Sequence, residues 1–151
     1  MKSDFRFHYT LRVRFAETDA QGIVFNGNYL TYFDVAWTEY FRAMGMSYKD
    51  ILDTGIDMVL AKTTIEFKIP AHFDELLEIH TRISAMGNSS ITFEFEVHPE
   101  GAERVMTKGT SIYVCIDPAT LKPRRVPETL RARCGEFEGK DFRCTARRSG
   151  C

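Results

Sequence analysis

Asp19, Gly22 and Asn26 stand in a stretch of glycines and small polar residues, Glu17-Thr-Asp-Ala-Gln-Gly-Ile-Val-Phe-Asn-Gly-Asn28, that carries neither a helical nor a strand period and reads as a loop. It runs straight into a helix-periodic segment. The first turn of a helix presents N–H groups without intrahelical acceptors and a partial positive charge, so an electron-rich oxygen placed there is stabilised. A carboxylate at Asp19, seven residues before Asn26, then has a carbonyl to face. The competing role for an Asp in such a loop is turn formation, in which its side chain bonds to nearby backbone. Gly22 likewise suits either a close backbone approach to a ligand or a turn position with positive φ.

Other candidates are fewer. Glu39, on the helix, is a second carboxylate that could serve chemistry, and with Arg42 three residues on it also has the spacing of a surface ion pair. His72, in Pro70-Ala-His-Phe-Asp74, reads as a solvated loop residue. With no HExxH, Cys/His cluster or phosphate-binding loop, neither a metal site nor nucleotide hydrolysis is expected. A Gly-x-Ser-x-Gly elbow is also lacking, which removes the usual serine hydrolase arrangement. The four cysteines, Cys115, Cys134, Cys144 and Cys151, show no CxxC spacing and no secretion signal accompanies them, so reduced thiols are expected.

The elements that must position these groups follow from periodicity. Residues 5–15 alternate, with Phe5, Phe7, Tyr9, Leu11, Val13 and Phe15 on one face, which predicts a half-buried strand. From Tyr29 to about Met44 the apolar positions Tyr29, Phe33, Ala36, Trp37, Tyr40, Phe41 and Met44 recur at three and four, predicting one long helix with an aromatic stripe. Asn28 stands at its N-cap position and Gly45 at its C-terminal stop. A shorter helix is expected over 47–53, closed by Gly55. Four alternating runs then predict strands at 65–69, 77–83, 91–97 and 105–116, with one polar, solvated face. A last helical turn is expected over 127–133. The long helix is the only element with enough apolar surface to cover the sheet, so the fold class is α+β.

At 151 residues the chain is one domain in expectation, large enough to bury a core without staples. Its composition, 44% hydrophobic and 27% charged, excludes disordered and collagen-like classes. Charge cuts every apolar run well short of the roughly 18 residues of a membrane span. The net charge of −1 hides an asymmetry: nine basic and four acidic residues lie between Lys122 and Arg148. A basic segment can serve phosphate, although a solvated tail has the same composition. A nucleic-acid role would need interleaved aromatics, and only Phe137 and Phe142 are there to stack bases, so no nucleic acid is expected.

The run Ala16-Glu-Thr-Asp19-Ala-Gln-Gly22-Ile-Val-Phe-Asn26-Gly-Asn28-Tyr29, followed by the aromatic helix and four strands, resembles the signature of the hydroxybenzoyl-CoA thioesterase family of hotdog-fold proteins. The resemblance runs from about Phe5 to about Arg133. It implies a hotdog fold, an antiparallel sheet of about five strands wrapped around one long helix, in a domain spanning residues 1–134. Residues 135–151 are left as a C-terminal tail without regular structure. It also implies an acyl-CoA thioesterase that hydrolyses a thioester to a free carboxylate and CoA. Asp19 would attack the carbonyl or activate water, and the Asn26 backbone N–H would polarise the carbonyl. Gly22, Val24, Phe25, Gly27, Asn28 and Tyr29 would line the substrate.

This sequence departs from the family pattern at Asn26, where many relatives have His, and at Phe15, where some have Tyr. A basic cluster that meets the nucleotide phosphates in relatives acting on aromatic substrates is replaced by Gly87-Asn88-Ser89, so that contact is either absent or moved to Lys122, Arg124 or Arg125. CoA is part of the substrate, and no separate cofactor is implied. The resemblance further implies a homo-oligomer, a dimer or a homotetramer, with the substrate between subunits, and the lack of an apolar signal segment makes a cytoplasmic location the expectation. The alternative is a non-catalytic acyl-thioester binding or assembly protein of the same fold. The acyl group stays open, since benzoyl, phenylacetyl and aliphatic chains are all apolar.

Overall fold

The computed structural model describes residues 1–143. Five strands, β1 (Phe7–Arg12), β2 (Asp57–Phe67), β3 (Leu76–Met86), β4 (Ser90–Pro99) and β5 (Thr107–Ile116), form one sheet in the order β1-β3-β4-β5-β2. Among the described residues three α-helices accompany it: α1 (Asn28–Ala43), α2 (Tyr48–Asp53) and α3 (Glu128–Glu138). The α+β expectation of a sheet of about five strands and one long helix therefore holds. Residue contacts group into two compact units, each taking part of the sheet and part of α1.

The first unit comprises Met1–Tyr40, Ile65–Arg82 and Phe95–Gly109. β1 pairs antiparallel with β3, placing His8 opposite His80 and Leu11 opposite Leu77. The aromatic stripe of α1 packs here: Phe33 stacks on Phe95 with ring centroids 4.4 Å apart, and Phe7 meets Tyr40 edge-on at 5.7 Å. Gly109 makes room for Phe33, since a Cβ there would lie 2.3 Å from the ring. Such pairs add stability beyond the area they bury.

The polar face of β3 is not solvated as alternation predicts. Glu78 and His80 are buried, as are Glu96 and His98 on β4. The cause is the N-terminal segment: residues Lys2–Asp4 form a 3-10 turn from which Lys2 bonds the Glu78 carboxylate, and Phe5 sets its ring edge-on to His80. β1 is also shorter than predicted. Arg14 opens a second 3-10 turn, Phe15–Glu17, which takes Phe15 out of the alternating face and leaves it 76% exposed.

The second unit comprises Phe41–Thr64, Ile83–Glu94 and the chain from Thr110. Phe41 meets Phe93 edge-on, and Phe93 meets Tyr113. Gly45 ends α1 with φ +79°, as expected, and Ser47 stands just outside α2 as its cap, accepting from the Asp50 N–H. β2 begins at Asp57, eight residues before the predicted strand. Its residues Val59, Leu60, Ala61 and Lys62 are all exposed, so no alternation marks them in the sequence.

Two expectations about the C-terminal segment are corrected here. α3 runs through the boundary at residue 134 to Glu138, because Gly135 admits the Lys140 backbone and Gly139, in the left-handed region, closes the helix. Arg131 is not a solvated tail residue: it is 1% exposed, and its guanidinium donates to the carbonyls of Gly87, Asn88, Val126 and Phe142. Cys115 and Cys134 are free thiols buried in this unit, as expected of reduced cysteines. Residues 144–151, with Cys144 and Cys151, lie outside the described residues.

Candidate active site

The loop before α1 is a tongue whose two limbs bond to each other. The Phe25 N–H donates to the Glu17 carbonyl, Thr18 and Val24 form a bridge, and the Asp19 N–H donates to the Ile23 carbonyl at 2.9 Å. Gly22 turns the chain at the tip with φ +76°, a conformation that L side chains avoid. The outer limb is fastened to the segment after β2, with Ile23 bridging His72 and the Val24 N–H donating to the Ala71 carbonyl at 2.8 Å.

Asp19 therefore sits at the start of the turn. Its Oδ1 accepts from the Gln21 N–H at 2.8 Å, a turn-forming bond. Its other oxygen has no partner among the described residues. The turn role and a chemical role thus use different oxygens of one carboxylate.

Asn26 follows the return limb on the Glu17 side and is exposed. Its carbonyl accepts from Tyr29, and the Gly27 carbonyl accepts from Leu30, so these two residues begin the helix. The N–H groups of Asn26 and Gly27 have no acceptor among the described residues, as the orphan donors of a helix start should be. Gly27 also lets the Phe25 ring lie across the backbone, for a Cβ would stand 3.0 Å from it.

Asn28 does not act as the expected N-cap. It is the first helical residue, and its amide donates to the Glu17 carbonyl at 2.9 Å. Val24 and Tyr29 are buried, and Tyr29 lies edge-on to Phe67. Phe25 is 51% exposed, and Phe15 and Phe73, also exposed, meet edge-on at 5.8 Å beside the tongue.

Glu17 is the residue that sequence reasoning missed. It is 7% exposed, and its carboxylate accepts from the Arg14 guanidinium, the Arg14 N–H and the Tyr32 hydroxyl. Burial pushes its pKa upward, but the bonds from Arg14 and Tyr32 outweigh burial and hold it below the ordinary carboxylate value. Tyr32, buried and donating to that carboxylate, is pushed above its ordinary value. The visible signal was the Arg14–Glu17 spacing of three; Tyr32 lies one position off the predicted stripe.

The remaining predicted residues stand elsewhere. In the second unit, Arg124 donates to the Gly55 carbonyl at 3.0 Å and lies 3.4 Å from Asp117, while Arg125 bonds Asn88 and Glu128. Both side chains keep substantial exposure. His72 lies 3.3 Å from Glu75, and Glu39 is half-buried on α1. Strand register also gathers His8, Glu78 and His80, with ligand atoms within 4.8 Å of one another, a grouping that linear spacing cannot reveal.

The thioesterase superfamily model matches residues 21–106, more than half of the sequence, and the chain belongs to that superfamily. The match begins just after Asp19. Among individual relatives, the acyl-CoA thioester hydrolase YbgC of Escherichia coli is 30% identical over 126 residues, spanning 83% of this chain and 93% of that protein. A hypothetical protein from Aquifex aeolicus superposes with a TM-score of 0.78 at 30% identity, over 85% of this chain and 98% of that one. A DHNA-CoA thioesterase from Staphylococcus aureus does so at 0.76 and 26% identity, over 88% of this chain and 94% of that one. The fold is the hotdog fold, and the chain is a thioester hydrolase. No helix among the described residues is long and apolar enough to cross a membrane.

Proposed function

We propose that the chain hydrolyses an acyl-CoA to a carboxylate and free CoA, with Asp19 as nucleophile or general base and the N–H groups at the start of α1 as donors to the carbonyl oxygen. The observation that carries this reading is the tongue itself. It holds a carboxylate with one oxygen unengaged and leads directly to two N–H groups without acceptors. A thioester carbonyl needs both: an attacking or proton-accepting oxygen, and donors aimed at the oxyanion that develops. Only the backbone of Asn26 is required, so the histidine of many relatives is dispensable here.

In this reading Gly22, Val24, Phe25, Gly27, Asn28 and Tyr29 shape the acyl side of the site, and no cofactor takes part. Arg124 and Arg125 receive the CoA phosphates, supported by the exposure both guanidinium groups retain. The enzyme works as a cytoplasmic homo-oligomer, a dimer or tetramer. Two features support assembly: β2 ends the sheet order while exposing Val59 and Leu60, and Phe15, Phe25 and Phe73 are exposed around the tongue. Unprotected edges and apolar patches are surfaces that partners cover.

The test is hydrolysis of a panel of benzoyl, phenylacetyl and aliphatic acyl-CoAs, followed with a thiol reagent, beside sedimentation at micromolar protein. Turnover of at least one substrate by an oligomer is expected. Binding of acyl-CoA without turnover would instead favour the non-catalytic alternative, and full activity in a 17.4 kDa monomer would remove the shared site.

A further inference from the structure

The sheet face covered by the N-terminal turn carries a concentration of histidine and carboxylate that the hydrolytic reading does not use. His8 of β1 pairs in register with His80 of β3, and their rings lie 4.8 Å apart. His98 of β4 adds a third ring 5.1 Å from His80. His80 is 4% exposed, yet neither of its ring nitrogens has a hydrogen-bond partner among the described residues. A buried imidazole with both nitrogens unsatisfied is costly, and native interiors avoid it.

Glu78 points the missing partner out. Its Oε2 is held by Lys2 and by the Gly101 N–H, which leaves Oε1 directed at the histidines, 3.5 Å from His8 Nε2 and 3.9 Å from His80 Nε2. Ligands around a four-coordinate ion with metal–ligand bonds of about 2.0–2.2 Å stand roughly 3.3–3.6 Å apart. One edge of the triangle already has that length, and the half-exposed His8 ring can turn to close the others. Outer bonds that fix a ligating carboxylate are the usual support of a metal site.

We infer that His8 Nε2, Glu78 Oε1 and His80 Nε2 form a binding site for a divalent transition-metal cation of the zinc class, with solvent in the fourth position beside His8. Two imidazoles and one carboxylate are an N/O donor set suited to zinc or cobalt(II) and poorly suited to calcium or magnesium. The charge of Lys2 is set on the opposite oxygen, Oε2. An ion there joins β1 to β3 and stabilises the folded chain by mass action.

The test uses the full chain, stripped with a chelator and titrated with Co²⁺ and then Zn²⁺. One equivalent per chain is expected, with visible cobalt d–d bands that Zn²⁺ displaces and a rise in melting midpoint on adding Zn²⁺. His8→Ala, at a half-exposed position, should keep its circular dichroism and lose the bands. Glu78→Gln, which keeps size, should weaken binding by more than about tenfold. His72→Ala should change neither. Absence of binding at tens of micromolar metal, or binding undiminished in a folded His8→Ala chain, would overturn the inference.

Discussion

The Tyr32 hydroxyl on α1 donates to Oε1 of Glu17 at 2.9 Å, across fifteen residues of chain. That bond, with the Arg14 contacts and the Asn28 amide on the Glu17 carbonyl, ties the root of the tongue to α1. Glu17 thus fixes the root of the loop that carries Asp19.

Glu17→Gln removes the buried charge and weakens the Arg14 bonds. The expected loss is about 1–3 kcal/mol at pH 7. Because the folded-state carboxyl lies below its ordinary 4.5, its contribution is complete above that pH and fades as pH falls through the lower folded value. Urea unfolding of wild type and variant at pH 7 and pH 3 checks this. The two should differ at pH 7 and converge in acid, and a difference independent of pH would contradict it.

Arg131→Met keeps the apolar stem but removes the guanidinium from the Gly87, Asn88, Val126 and Phe142 carbonyls, of which Asn88 keeps the Val126 N–H. A fall of about 1–3 kcal/mol in unfolding free energy is expected, since a hydrogen bond from a charged donor is lost at each carbonyl and the most enclosed of them keep their desolvation cost. An unchanged denaturation midpoint would show those carbonyls to be satisfied otherwise.

Burial pushes the Cys115 thiol up to about 11 and the Cys134 thiol up to about 12. Thiolate is the reactive form, so both should resist iodoacetamide at pH 8 in the native protein and react after unfolding. Peptide mass mapping reads each site separately. Native labelling of Cys134 would mean that α3 opens.

If Arg124 and Arg125 meet the CoA phosphates, KM for an acyl-CoA should rise with ionic strength, and the double Arg124→Ala, Arg125→Ala variant should lose most of that dependence. Identical salt profiles would leave the two residues as partners of Asp117, Asn88 and Glu128 alone.

Periodicity made the α1 stripe and the inward faces of β3, β4 and β5 legible, because one face of each is apolar. The first half of β2 was hidden, since Val59 and Leu60 are both exposed and no alternation arises. The tongue was legible as a loop containing Asp19 and Gly22, but its internal pairing was not, because Thr18–Val24 and Ile23–His72 are tertiary bridges that leave no local pattern. Arg131 read as one charge in a basic run, although its four carbonyl partners come from three separate segments. His8 and His80 lie far apart in sequence and meet only through strand register.

The most direct test of the account is kcat of Asp19→Asn on the best substrate of the acyl-CoA panel, measured beside the melting midpoint and a Glu39→Gln control. The Asn side chain can still accept from the Gln21 N–H, so the turn should survive while the charge that attacks carbon or takes a proton from water is gone. The account predicts a fall of about a hundredfold or more in kcat, about 3 kcal/mol in the barrier, with little change in the midpoint. Near-wild-type turnover in Asp19→Asn, with collapse in Glu39→Gln, would contradict it and move the chemistry to α1.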